Sequence, residues 1–315
     1  MTGDLHVIRA GLQTTVQDLG RWGFQAAGVP VAGPMDPFSH RLANLLVGNP
    51  INAATLEITL IGPELEFVVP ATIAVCGAEF DITAGGSPVP MGTSVHLARG
   101  TRLQFGRRRA GARAYLAIAG GVQTPPVLRS RATHVVSAMG GFEGRALLAG
   151  DRLPVQATPS LEAIRRASGL TLPASGRARL RLLPGPQADW FDAAAHKALA
   201  SVSFRVSPRS NRMGYRLEGP PLARERTEEA ISAPLAFGAV QVPAAGEPIL
   251  LMADRQTAGG YPQIASVIAA DWPIAGQLAP GDFIEFAFCT RHDAASALIA
   301  RERPLLRVAD NAPRA

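Results

Sequence analysis

One pattern occurs twice in this chain and limits its architecture more than any other feature. Arg21-Trp22-Gly23-Phe24-Gln25-Ala26-Ala27-Gly28-Val29-Pro30 and Arg212-Met213-Gly214-Tyr215-Arg216-Leu217-Glu218-Gly219-Pro220-Pro221 share the form Arg-x-Gly-aromatic-x-x-x-Gly-x-Pro. A second pair starts at Leu97 and Leu278 and keeps the form Leu-Ala-x-Gly-x-x-x-x-Phe as far as Phe105 and Phe286. Both pairs keep their order, at offsets of 191 and 181 residues. A chain of 315 residues that repeats itself in this way predicts two related domains. Gly and Pro supply 58 of the residues, which breaks the chain into short strands and turns rather than long helices. The expected fold is mainly β with a few helices: two barrel-like domains at 1–155 and 178–315, joined by a connection at 156–177.

Local patterns place the elements. Asp36 followed by Pro37 is a helix start, Phe38, Leu42, Leu45 and Leu46 form an apolar stripe, and Gly48 stops the helix. Residues 56–60 and 65–69, turned by Gly62-Pro63, read as an antiparallel pair. Further strands are expected at 72–75, 94–97, 102–105 and 114–118. A helix is expected over 188–200 and another over 161–167.

Composition excludes several functions. The net charge is +6, yet Lys197 is the single lysine and the other 30 basic residues are arginine. The densest run, Arg99 to Arg113, holds a single aromatic, Phe105, and no series of rings on which bases could stack, so nucleic acid is not an expected partner. No Gly-x-x-x-x-Gly-Lys loop can exist, and Lys197, in Ala-His-Lys-Ala, is not a biotin attachment site. Apolar runs stop short of the ~20 residues a membrane span needs. The N-terminus lacks a basic region followed by an apolar stretch, so a cytoplasmic location is the expectation. Cys76 and Cys289 are read as two buried, inert thiols, and the scattered histidines predict no metal site.

Candidate functional residues gather in Gly-rich loops. The apolar strand 249–252 leads into Asp254-Arg255-Gln256-Thr257, then Gly259-Gly260 and Tyr261. A carboxylate, an amide and a hydroxyl so close together suit a planar polar ligand such as a ureido ring or lactam, and the glycines would let backbone amides approach it. A turn whose polar side chains satisfy one another is the competing reading. We take Asp254 and Gln256 as catalytic candidates. The ligand-binding candidates are Gln17, Asp18, Arg21, Glu57, Arg212, Tyr215, Gln241, Thr257, Gly259, Gly260, Tyr261 and Gln277. For Arg21 and Arg212 the repeated context points first to tying loops to carboxylates or carbonyls. Glu57, mid-strand, is either a plain outward residue or a site residue.

The segments Thr-Val-Gln-Asp-Leu-Gly-Arg-Trp-Gly (15–23), Gly-Pro-Met-Asp-Pro (33–37), Leu-Glu-Ile-Thr-Leu-Ile-Gly-Pro (56–63), Asn-Arg-Met-Gly-Tyr-Arg-Leu-Glu-Gly-Pro (211–220) and Asp-Arg-Gln-Thr-Ala-Gly-Gly-Tyr-Pro (254–262) resemble the KipA family. That family comprises the C subunits of bacterial 5-oxoprolinases and proteins similar to biotin-dependent carboxyltransferases or to allophanate hydrolase subunit 2. Met35 stands where the family more often has alanine, and residues 129–133 keep a Gly-Ser-Arg-Ser-Thr pattern only loosely. The resemblance implies two cyclophilin-like β-barrel domains working in a complex with a KipI-like B subunit and an A subunit. Together these would open 5-oxo-L-proline to L-glutamate with ATP. It also implies two alternatives: a carboxyltransferase moving CO2 from carboxybiotin on a partner to urea or another amide, or a non-catalytic regulator.

Overall fold

The computed structural model describes residues 2–158, 164–169, 171–172, 176–226, 228 and 230–310. The chain divides into two units. The first comprises Met1–Arg21, Ala32–Leu172 and Glu302–Ala315, and the second Trp22–Val31 and Pro173–Arg301. Each unit thus takes in a short piece of chain whose sequence neighbours belong to the other, an exchange that no shift in composition announces.

In the first unit, β1 (Thr2–Arg9), β2 (Gln13–Gln17), β3 (Thr55–Thr59), β4 (Glu64–Phe67), β5 (Ala71–Ala84), β6 (Ser87–Pro88), β7 (Val95–Leu97), β8 (Thr101–Ile118) and β9 (Arg152–Gln156) form one sheet. Its order is β2-β3-β8-β4-β1-β9, with β5 paired to β8 and carrying β6 and β7. Leu5, Val16, Leu56, Ile58, Phe67 and Leu116 meet in its core. The helix α1 (Pro37–Leu46) begins where the sequence places it: the Asp36 carboxylate accepts a hydrogen bond from Ser39 N at 2.9 Å, with Pro37 in the first turn.

The expected hairpin at 56–69 does not form. β3 and β4 both pair with β8 instead, Leu56 opposite Leu116 and Leu65 opposite Leu103. The two strands predicted at 102–105 and 114–118 are parts of β8, which runs between β3 and β4. A Cβ on Gly62 would collide with the Phe105 ring, so this glycine admits a β8 side chain instead of making a hairpin turn. Of the helix expected at 161–167, residues 161–163 lie outside the described residues and residues 164–167 are not helical. Ser94 N donates to Arg165 O at 2.9 Å and Ala167 N to Gly92 O at 3.0 Å, so this segment is tied to the β5–β7 connection.

In the second unit, β10 (Arg177–Pro184), β11 (Ser203–Val206), β12 (Gly214–Glu218), β14 (Ala239–Gln241), β15 (Ile249–Leu251), β17 (Gln263–Val267) and β18 (Phe283–Phe288) close into a barrel of order β10-β17-β14-β15-β12-β11-β18. A parallel pairing of β18 with β10 completes it. β13 (Ala233–Pro234) and β16 (Ala258–Gly259) form a separate two-stranded ribbon. The single helix expected at 188–200 is two pieces: a turn at Ala188–Trp190 and α2 (Ala193–Ser201). Phe191 is extended between them, and the Asp192 carboxylate restarts the helix by accepting from Ala195 N at 2.6 Å. α3 (Trp272–Gly276) and α4 (Arg291–Asp310) follow.

No described helix is long and apolar enough to cross a membrane. Cys76 is buried and burial pushes its thiol pKa up, whereas Cys289 is only half-buried, against the expectation. Two arginines of the basic run on β8 pair with carboxylates, Arg109 with Asp81 at 2.7 Å and Arg102 with Glu66 at 3.9 Å, while Arg108 donates to Gly111 O at 2.6 Å and Arg113 is buried.

Candidate functional site

The loop after β15 is fixed from below. Asp254 and Arg212 form a bidentate ion pair, with Arg212 Nε and Nη2 donating to the two carboxylate oxygens at 2.9 and 3.0 Å. Both side chains are buried, at 3% and 6% exposure, so neither charge is screened by water. Main-chain bonds run alongside: Met252 N donates to Met213 O at 3.0 Å and Asp254 N to Arg212 O at 2.8 Å. Asp254 therefore positions the loop, and the repeated arginine of the second copy is its partner. The next residue, Arg255, turns inward. Its Nε donates to Leu235 O at 3.0 Å, and burial lowers its pKa to about 10.

Above this base, two neutral side-chain amides converge. A Cβ on Gly259 would collide with Nε2 of Gln256 and come within 3.4 Å of Nε2 of Gln241 and 3.0 Å of Leu235 Cδ1. Two amides and one leucine thus crowd over Gly259, and a side chain there would displace the Gln256 amide. Neither Gly259 nor Gly260 has the left-handed conformation of an anion-binding nest, and Gly259 is paired with Ala233 in the small ribbon. Gln241, on the barrel strand β14, donates to Tyr261 O at 3.3 Å. Gln256 and Tyr261 are exposed, whereas Gln241 is buried. Thr257 contributes its carbonyl, which accepts from Leu235 N at 3.0 Å. Side-chain amides each offer a donor and an acceptor, so this pair can match a ligand that presents N–H and C=O side by side. Tyr215 and Gln277 lie deeper. The Tyr215 hydroxyl donates to Leu278 O at 3.2 Å, and both side chains are buried.

The first unit holds the remaining candidates in a separate cluster. Asp18 is fully occupied: Oδ1 accepts from Gly20 N at 2.9 Å and Ser130 Oγ at 2.6 Å, and Oδ2 accepts from Arg131 N. Gln17 Nε2 donates to Thr133 O and Thr15 Oγ1, each at 3.1 Å, and Arg21 Nη2 donates to Ala132 O. These three residues clamp residues 130–133 onto the end of β2.

Glu57 is not an outward residue. It is 1% exposed, because α1 covers β3 on the side away from the barrel core. Its Oε2 accepts from Met35 N at 2.9 Å and from the Tyr115 hydroxyl at 2.7 Å, and that hydroxyl accepts from Asp36 N at 2.8 Å. Burial, followed by the charges of Glu57 and Asp36, holds the Tyr115 pKa well above its usual value. Sequence reasoning passed over His40, which is fully buried with its pKa lowered by desolvation to about 4. Its Nδ1 lies 2.9 Å from Thr55 Oγ1, and Nε2 faces Asn44 Nδ2 at 3.4 Å. Asn49 extends the network by donating to Asn44 Oδ1 and Ile118 O. The signal was present in the spacing: His40 and Asn44 lie four residues apart on the apolar face of one helix.

A closed seven-stranded barrel and a second, sheet-built unit define a two-barrel protein. Comparison with known proteins places it further. The chain belongs to the family described as carboxyltransferase domain, subdomain A and B, which it matches over residues 27–288. It is 42% identical to the C subunit of the 5-oxoprolinase of Escherichia coli (strain K12), over 95% of this chain and 96% of that protein. It is 33% identical to the urea amidolyase of Saccharomyces cerevisiae, over 90% of this chain but only 16% of that protein. Among solved structures, the Kluyveromyces lactis urea amidolyase superposes with a TM-score of 0.90 and 31% identity, over 97% of this chain and 20% of that one.

Proposed function

We propose that this chain is the C subunit of a 5-oxoprolinase, acting in the cytoplasm with a KipI-like B subunit and an A subunit to hydrolyse 5-oxo-L-proline to L-glutamate. The observation that carries this reading is reciprocal coverage: the C subunit of the Escherichia coli 5-oxoprolinase matches nearly end to end at 42% identity. The site chemistry is compatible. A lactam holds N–H and C=O on one edge of a ring, and Gln241 and Gln256 offer neutral hydrogen-bonding groups beside the apolar Leu235. The contribution of this chain is to bind and orient the lactam. An amide is a poor electrophile, and ATP is the energy source the complex is proposed to use. The Gly259–Gly260 pair does not form a phosphate cradle and Arg212 is committed to Asp254, so no step through ATP is assigned to these residues.

The carboxyltransferase reading has one observation in its favour, the 0.90 TM-score to a urea amidolyase across nearly the whole chain. The same amide pair would hold urea or a ureido ring, with carboxybiotin carried by another protein.

Reconstitution separates these readings. The chain is mixed with purified A and B subunits, and ATP-dependent glutamate release from 5-oxo-L-proline is measured. Release should require all three chains, and Gln256→Leu should lower turnover while the complex still assembles. Full release without this chain would reject the proposal. Urea-dependent consumption of carboxybiotin would favour the second reading. A regulator would keep partner binding and lose nothing on substitution at Gln256.

A further inference from the structure

We propose that the second unit carries a binding site for a small carboxylate with a compact apolar body, distinct from the Gln241–Gln256 pair. The cavity has a volume of about 390 Å³ and is lined by residues 221–224, Arg226 and residues 244–246. That volume lies near the lower end of the roughly 300–1,000 Å³ typical of small-molecule sites.

Backbone bonds hold its walls. Leu222 N donates to Gly246 O, Gly246 N to Pro243 O and Glu225 N to Trp190 O, each at 2.9 Å. Arg224 also bridges to Phe191 through its main chain. The cavity is therefore part of the framework.

The two arginines differ. Arg226 is exposed, stands over the Trp190 ring at 5.7 Å and pairs with Asp189 at 3.2 Å. Arg224 is half-buried and has no carboxylate partner among the described residues. Among the described acids nearby, Glu247 pairs with Arg209 at 3.5 Å, and neither Glu225 nor Glu228 forms an ion pair with Arg224. One unmatched guanidinium fits the two oxygens of a carboxylate through its planar fork. A phosphate dianion would need further donors, and the amides of Leu222 and Gly246 are already bonded to carbonyls. The rest of the lining includes Pro221, Leu222, Ala244 and Ala245, which call for hydrocarbon.

The test uses the full chain and does not rest on the proposed activity. Cyclopentanecarboxylate, its neutral carboxamide and inorganic phosphate are titrated by calorimetry and ligand-observed NMR. The carboxylate should bind saturably, and Arg224→Met should weaken it by at least about tenfold. Ala245→Phe, which keeps the guanidinium but fills the cavity, should abolish binding. Thermal melts check that each variant folds. If Arg224→Met does not, the carboxamide decides in its place, since it should bind at least about tenfold more weakly to the unaltered chain. No saturable binding, equal binding of the carboxamide, tighter binding of phosphate, or binding unaffected by either variant would overturn the proposal.

Discussion

Asp254 is where structural and catalytic roles separate most cleanly, and its ion pair with Arg212 gives a quantitative expectation. Truncating Asp254→Ala leaves a guanidinium at 6% exposure without its counter-charge. Removing one member of a buried pair costs about 3–5 kcal/mol, mostly because the surviving charge is stranded. Arg212→Met strands the carboxylate and should cost a similar amount. The double variant Arg212→Met/Asp254→Leu strands neither, so at least half of the summed loss should return, a coupling of about 3 kcal/mol or more. Guanidinium denaturation followed by tryptophan fluorescence is well suited to this cycle. Trp22, Trp190 and Trp272 are the three tryptophans of the sequence, and all belong to the second unit, so the signal reports that unit alone. Single variants that lose less than about 1 kcal/mol, with a double variant equal to their sum, would refute the reasoning. Asp254→Asn with an unchanged midpoint but no turnover in the reconstituted complex would return Asp254 to a catalytic role.

Three further outcomes are expected. His40 is held neutral in the folded state with a pKa of about 4, against 6.5 when unfolded. Below pH 6.5 the unfolded chain therefore takes up a proton that the folded chain refuses. Stability should fall as pH drops from about 6.5 toward 4, by up to about 3 kcal/mol, and His40→Gln should flatten that slope in pH-dependent thermal melts. Gly140→Ala would drive a Cβ into Ala132 O and Arg21 Nη2 at a φ of +69°, where only glycine is at ease. A loss of about 2 kcal/mol or more is expected by circular dichroism, and a neutral result would contradict the packing around Arg21. Gln241→Leu should raise the KM for the lactam roughly tenfold in the reconstituted complex with little change in the melting temperature, a split that a merely structural glutamine would not give.

Parts of this organisation are legible in the sequence because they depend on near neighbours. Helix α1 follows from Asp36, Pro37 and the spacing of Phe38, Leu42 and Leu46, all within one element. The duplicated Arg-x-Gly-aromatic pattern is visible because each copy meets a similar local demand. What escaped depends on pairing across long stretches. An alternating strand looks the same beside β4 as beside β8, so periodicity could not tell which partner β3 would take. Glu57 reads as outward because alternation reveals the core face of a strand, and nothing local reveals that α1 will cover the other face. The exchange of Trp22–Val31 into the second unit has no compositional mark. Gln241 and Gln256 come together over Gly259 because β14 pairs with β17, which sets Gln241 opposite Gln263 and within reach of the Tyr261 carbonyl, and the stretch of sequence between them does not disclose that pairing.

The duplication also separates scaffold from site. In equivalent positions, Arg212 reaches the carboxylate of Asp254, while Arg21 reaches the carbonyl of Ala132. In the first copy the nearby acid, Asp18, is taken up by backbone amides and Ser130. One repeated arginine thus serves two different loops with two kinds of acceptor, and in both it is buried beneath the surface its loop presents. A residue kept by both copies and anchored locally in each reports the shared architecture. The candidate ligand residues Gln241, Gln256 and Tyr261 have no counterpart in the repeated pattern. Specialisation of the second copy is therefore sought where the internal repeat breaks down, and the convergence of two neutral amides over Gly259 is where it breaks down most sharply.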